Sequence, residues 1–232
     1  MSDDALRLCV IGATGLIGGK VMEECIGRED VRLSAIARRE AKLPRGIRME
    51  LFVAEPAKWG EVLEALRPKA VICALGTTWK KAGEDEEAFR AVDQHLVLET
   101  ARAAKEQGVD RFVAVSSVGA DTASKNFYLR VKGETERELT KLRFNRLDIL
   151  RPGLLRGKRE NDRRIGERIG IAAAPVANLL LHGKYRQYRA IEAETVAQAA
   201  IALAKSAARG RFVHDNDGIV RAAKRLPQLI TD

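Results

Sequence analysis

The chain has 232 residues, 46% hydrophobic and 31% charged, a balance that supports a packed core and excludes extended disorder, low complexity and solenoid repeats. A net charge of +9 would draw polyanions, yet only 5% of residues are aromatic, no zinc-finger spacing occurs and the basic residues are dispersed, which argues against a nucleic-acid partner. Residues 1–8 lack the basic start and apolar run of a secretory signal, and the longest mainly apolar stretch, 169–181, is too short to span a bilayer and contains Pro175, so neither export nor a membrane partner is expected.

Strands are predicted at 6–11, 31–37, 49–53, 70–75, 111–116 and 146–150, and helices at 16–26, 58–66, 84–107 and 127–142. This alternation predicts an α/β fold built on a doubly wound parallel sheet, whose ligands gather past the C-terminal ends of the strands. After Arg151-Pro152-Gly153 the alternation lapses, before a helix at 193–207, a strand at 211–214 and a last helix at 218–225. The whole of 1–232 reads as one domain, with the irregular stretch 153–190 as a small C-terminal segment covering the substrate. Cys9, Cys25 and Cys73 fall inside predicted core elements and cannot all pair, which fits buried thiols in a reducing, cytoplasmic setting.

The first strand runs into Gly12-Ala13-Thr14-Gly15-Leu16-Ile17-Gly18 and then into a helix. Glycines at such a junction allow a tight turn, close approach of a pyrophosphate and close helix–strand packing, while the helix N-terminus offers N–H groups to phosphate. The spacing differs from Gly-x-Gly-x-x-Gly, and a merely close strand-to-helix connection is the plainer alternative. At the end of the second strand, where an enzyme selective for the unphosphorylated cofactor places an acid, stand Arg38 and Arg39. Guanidinium groups there favour the 2′-phosphate of NADP(H), unless they are ordinary surface charges.

Tyr128 and Lys132 stand four apart on a predicted helix and share a face. A tyrosine is a poor acid–base catalyst near neutrality, and a neighbouring ammonium favours its phenolate. Ser116-Ser117 ends the preceding strand, so Ser117 is the candidate donor to a carbonyl oxygen while Tyr128 moves the proton.

The glycine turn, the paired serines and Tyr128-Leu129-Arg130-Val131-Lys132 resemble the short-chain dehydrogenase/reductase superfamily in its atypical or extended branch, a Rossmann fold. Cys73-Ala74-Leu75-Gly76-Thr77-Thr78, Lys81-Ala82-Gly83, Ser116-Ser117-Val118-Gly119-Ala120-Asp121 and Leu150-Arg151-Pro152-Gly153 are similar to the Tat-interacting-protein oxidoreductase family. The resemblance implies that Ser117, Tyr128 and Lys132 are catalytic, with Lys132 also binding ribose hydroxyls. It implies an adenine half held by Gly12, Thr14, Gly15, Leu16, Ile17 and Arg38, a central path lined by Leu75, Gly76 and Thr77, and a nicotinamide bordered by Pro152 and Gly153. Ser116 and Tyr128 join the expected cofactor contacts. Asp93 stands where many relatives carry an Asn that supports the lysine, and a carboxylate there can do a similar job or pair with Lys132. Phe52-Val53-Ala54-Glu55 lacks the Asp that many relatives place after the third strand.

Two readings of different class follow: an NADP(H)-dependent oxidoreductase acting on a small carbonyl or alcohol, and an NADPH-sensing interaction protein with a protein partner. A nucleotide-sugar epimerase ranks below both, because the portion after Pro152 is small for a sugar-nucleotide domain. His95, His182 and His214 are dispersed, so no metal site is expected. Trp79 and Phe127 flank the predicted site as pocket walls or as packing beneath its loops.

Overall fold

The computed structural model describes residues 5–157 and 183–228. In chain order its strands are β1 (Leu6–Ile11), β2 (Val31–Ala37), β3 (Met49–Val53), β4 (Ala70–Cys73), β5 (Arg111–Val115), β6 (Arg146–Leu150), β7 (Leu155–Arg156), β8 (Ile191–Glu192) and β9 (Gly210–His214). The helices are α1 (Leu16–Glu24), α2 (Trp59–Leu66), α3 (Glu86–Arg90), α4 (Val97–Glu106), α5 (Phe127–Lys141), α6 (Ala193–Lys205) and α7 (Asn216–Ala223), with a π-helical stretch, Ala91–Leu96, joining α3 to α4.

Seven strands form one sheet in the order β3-β2-β1-β4-β5-β6-β9, every neighbouring pair parallel. Because helices cover both faces, the central strands are apolar nearly throughout: Leu8, Cys9, Val10 and Ile11 of β1 are all fully buried. Successive residues point to opposite faces. Leu8, Val10, Leu33, Ala35, Ile72 and Val113 pack with α1, α6 and α7. Cys9, Ile11, Ile36, Val71, Phe112 and Ile149 pack with α2, α4 and α5. The strand order reverses direction between β1 and β4, so the crevice beyond their C-terminal ends is the expected ligand position.

Several boundaries differ from expectation. The fourth and fifth strands stop at Cys73 and Val115, because Ala74 and Ser116 already begin the turns that leave the sheet. The single helix expected over 84–107 is α3, the π-helical stretch and α4. The last helix begins two residues early, where Asp215 accepts the Gly218 N–H at 2.8 Å as its N-cap.

Of the expected lid, 158–182 lies outside the described residues. Its two stems meet: β7 pairs with β8 through Leu155↔Ile191 and Arg156↔Glu192. The buried Asn216 side chain accepts the Gly153 N–H at 2.8 Å and donates to the Arg189 carbonyl at 2.5 Å. A Cβ on Gly153 would stand 2.2 Å from that same Arg189 oxygen, so only glycine fits between the stems.

Candidate functional site

At the end of β1, Gly12 takes φ +94°, and a Cβ there would lie 2.7 Å from the Ala74 carbonyl carbon, so both conformation and space require glycine. A Cβ on Gly18 would meet the Gly12 oxygen at 2.3 Å, which explains the close seating of α1 on the turn. Gly15 is the N-cap of α1 in extended conformation; it contributes no side-chain cap, and the first turn carries no acid. The N-terminal N–H groups and the positive end of the helix dipole therefore meet no competing carboxylate. Thr14 is exposed and Leu16 half-buried, whereas Ile17 belongs to the core, so its side chain is unavailable and only its backbone is offered to a ligand.

The register pairs Ile11 with Ile36, which brings Arg38 and Arg39 just past the strand end beside the glycine turn. Both are exposed, and neither has an ion-pair or hydrogen-bond partner among the described residues. Uncapped N–H groups and two unengaged guanidiniums fit a phosphate-bearing dinucleotide.

From Ala74 the chain passes over Gly12 and reaches Leu75, Gly76 and Thr77. The Thr77 N–H donates to Asp93 Oδ2 at 2.7 Å, and a Cβ on Gly76 would lie 3.4 Å from Asp93 Oδ1 and 3.9 Å from Lys132 Nζ. Lys132 Nζ stands 2.7 Å from Asp93 Oδ1, with only 8% and 0% of the two side chains exposed. Asp93 Oδ1 has no other partner. The π-helical stretch delivers Asp93 to this place, and the Thr135 hydroxyl lies 3.2 Å from its carbonyl oxygen. Burial works against the Lys132 charge, but Asp93 foremost and Tyr128 next outweigh it and hold the ammonium above the ordinary lysine range.

Asn126 caps α5 by accepting the Leu129 N–H at 3.2 Å, which sets Tyr128 in the first turn and Lys132 one turn on. Lys132 Nζ is 6.0 Å from the centre of the Tyr128 ring. Behind that ring stands an aromatic group: Phe89 is 5.4 Å from Tyr128 and 5.8 Å from Phe127, and Trp79 is 5.3 Å from Phe127, centre to centre. Trp79 and Phe127 thus pack together beneath the site loops, each half-buried.

The two serines differ. Ser116 is buried, and its hydroxyl is hydrogen-bonded to Glu136, which also binds Arg151 through paired contacts of Nε at 3.0 and 3.1 Å. The proton of that hydroxyl is therefore engaged by Glu136. Ser117 is half-buried, with its hydroxyl 3.3 Å from the Val118 carbonyl oxygen. Val118 N–H donates to the Pro152 carbonyl at 3.0 Å, joining the serine loop to Pro152 and Gly153. A cavity of about 10 Å³, the room of about one water, lies between the Asp93–Lys132 and Glu136–Arg151 pairs.

Sequence reasoning missed Glu136 and Asn216. Glu136 lies one turn beyond Lys132 on the same face of α5, a signal that was readable. Asn216 had none. No His/Cys/Asp/Glu cluster able to hold a metal occurs among the described residues.

A family described as NAD(P)H-binding matches residues 12–207, most of the chain. The chain belongs to that NAD(P)H-binding family. Among its relatives, Protein fmp52, mitochondrial, of Emericella nidulans is 37% identical over 68% of this chain and 70% of its own length. Protein FMP52, mitochondrial, of Saccharomyces cerevisiae is 36% identical over 68% and 69%, and the Candida albicans protein of that name is 30% identical over 94% and 98%. These mitochondrial names overturn the expectation of a cytoplasmic setting, which had rested on buried cysteines that any reducing compartment allows.

Solved structures share the fold. MoeE5 in complex with UDP-glucose and NAD superposes with a TM-score of 0.69 at 17% identity, over 94% of this chain and 81% of that one. UDP-glucose 4-epimerase of Thermotoga maritima gives 0.69 at 14% identity, over 94% and 82%. The chain is thus an NAD(P)H-binding protein with a Rossmann-like fold. No helix among the described residues is long and apolar enough to cross a membrane.

Proposed function

We propose that this chain is an NADP(H)-dependent oxidoreductase interconverting a small carbonyl and its alcohol. One observation carries the reading: an unbroken line of contacts runs from the glycine turn through 74–77 to Asp93 and Lys132, with Tyr128 one helical turn away.

In this reading Gly12, Thr14, Gly15, Leu16 and the Ile17 backbone take the adenine half, and Arg38 and Arg39 take the 2′-phosphate. Leu75, Gly76 and Thr77 line the central path, and Pro152 and Gly153 border the nicotinamide, which supplies or accepts the hydride. Ser117 donates a hydrogen bond to the substrate oxygen, Tyr128 gives or removes the proton there, and Lys132 binds ribose hydroxyls and places positive charge beside the phenol. The buried Ser116 hydroxyl supports the loop from below.

The test is a titration of the protein with NADPH, followed by its fluorescence, together with turnover on a panel of carbonyl compounds. Tyr128→Phe should abolish turnover while leaving NADPH affinity within about twofold; retained turnover removes Tyr128 from proton transfer.

A second reading, an NADPH sensor that orders a surface for a protein partner, draws on the direct Asp93–Lys132 pairing, since a neutralised ammonium can bind ribose while lending less charge to catalysis. Partner capture that depends on NADPH, with no turnover across the panel, would favour it. The mitochondrial names of the relatives support a mitochondrial setting for this chain, which cell fractionation tests.

A further inference from the structure

We propose that Glu136 is a positioning residue: its carboxylate fastens the turn that carries Ser117, and the turn that carries Pro152 and Gly153, to the helix of Tyr128 and Lys132. The inference rests on the oxidoreductase reading and adds to it a residue that touches neither cofactor nor substrate.

In that reading the groups that meet the substrate come from separate elements. Ser117 follows β5, Pro152 and Gly153 follow β6, and Tyr128 lies in the first turn of α5. Backbone joins the two strand ends to each other: the Ser116 N–H donates to the Leu150 carbonyl at 2.7 Å, and the Val118 N–H to the Pro152 carbonyl at 3.0 Å. They form one unit. What must still be set is the seat of that unit on α5, and a displacement of about 1 Å between reacting groups costs about a hundredfold in rate.

Glu136 supplies that seat. It stands four residues after Lys132 and eight after Tyr128, so the three lie along one face of the helix. Its Oε1 accepts the Ser116 hydroxyl and the Arg151 Nε–H at 3.0 Å, while Oε2 accepts from Nε at 3.1 Å and from Nη2. One carboxylate thus grips the residue before Ser117 and the residue before Pro152. Glu136 and Ser116 are both buried, and a forked, charge-assisted contact fixes direction as well as distance. Glu134, the nearest other acid on the helix, is engaged elsewhere by Arg90 and Gln94. Further contacts of the serine loop with α5 lie beyond the strand end: the Asp121 N–H donates to the Leu129 carbonyl at 3.1 Å, and Gly133 leaves room for the backbone of 121–122. They seat the middle of the loop, and Glu136 seats its root.

An ion pair that only stabilised the fold would change the amount of folded protein and not the turnover of each folded molecule. The test therefore uses the full-length chain, counts its sites by NADPH fluorescence titration, and follows NADPH oxidation in a single turnover at full occupancy. The substrate probe is whichever of a panel of aldehydes, ketones and quinones the unchanged protein reduces fastest. Glu136→Ala should slow the single turnover about thirty- to a hundredfold and leave NADPH affinity within about twofold, since the adenine half is held at the glycine turn. Glu136→Gln, which keeps one acceptor oxygen, and Ser116→Ala, which detaches the serine turn alone, should each slow it about three- to tenfold.

A single-turnover rate in Glu136→Ala within about twofold of the unchanged protein overturns the inference and leaves the oxidoreductase reading standing. A loss of NADPH affinity as large as the loss of rate also overturns it, because Glu136 would then serve cofactor binding. If the unchanged protein oxidises NADPH with no member of the panel, the oxidoreductase reading falls and the inference with it. Should Glu136→Ala not fold, Glu136→Gln and Ser116→Ala decide, and unaltered rates in both count against the proposal.

Discussion

Replacing Lys132 by methionine should cost far more stability than the loss of a surface charge. The change removes one partner of a pair whose side chains are 8% and 0% exposed and whose charges stand 2.7 Å apart, leaving a carboxylate in the interior with only the Thr77 N–H to satisfy it. Breaking a buried pair in this way costs about 3–5 kcal/mol. For a domain of this size, each kcal/mol moves Tm by about 2–4 °C, so a fall of roughly 10 °C is expected.

The double variant, Lys132→Met with Asp93→Asn, holds no buried charge and keeps an acceptor for Thr77. It should recover about 2 kcal/mol of the single variant's loss, and that coupling is the signature of the pair. Calorimetry and urea unfolding read both quantities. Because the folded-state pKa of Lys132 is raised, its stabilising contribution is complete below the ordinary lysine value and disappears only as pH climbs through the raised one. The comparison therefore holds unchanged at pH 6 and pH 9. A Tm change below about 2 °C for Lys132→Met, or a double variant no better than the single one, would refute the reasoning.

Arg38→Ala with Arg39→Ala should weaken NADPH binding about ten- to a hundredfold, the loss of one charge-assisted contact, and leave NADH binding nearly unchanged; equal loss of both cofactors would place the arginines elsewhere. Asn216→Ala strips a partner from the Gly153 N–H and the Arg189 carbonyl at once, so it should destabilise by about 1–3 kcal/mol and speed proteolytic cleavage between 153 and 190; an unaltered cleavage rate would show the stems to be held by other contacts. Burial pushes the thiols of Cys9 and Cys25 up to about 12 and that of Cys73 to about 11, so all three should resist a thiol-specific disulfide reagent at pH 8 in the native protein and react at once in denaturant.

The sheet was legible because its strands are buried on both faces and therefore appear as unbroken apolar runs separated by helical spacing, as at Leu8–Ile11 and Phe112–Ala114. The glycine turn was legible for a local reason: Gly12 and Gly18 each stand where a Cβ would strike backbone. Features made by residues distant in sequence were not. Nothing in Val92-Asp93-Gln94 distinguishes a π-helical stretch from the α-helical spacing on either side, so the helix over 84–107 looked continuous. The two-residue strands β7 and β8 are too short to leave a pattern, and Asn216 acts on two backbone groups that no spacing rule connects to it. The divergence between Ser116 and Ser117 arises where the chain leaves β5: one hydroxyl meets Glu136 of α5, while its neighbour's lies against the Val118 carbonyl oxygen.

The central claim meets its most direct test in a crystal structure of the chain grown with NADPH. The account predicts the pyrophosphate on the N-terminus of α1, the 2′-phosphate against Arg38 or Arg39, ribose hydroxyls within hydrogen-bonding distance of Lys132, and the nicotinamide beside Tyr128 and Gly153. A dinucleotide bound with its nicotinamide remote from the Tyr128 hydroxyl, or none bound in the crevice between β1 and β4, would contradict it.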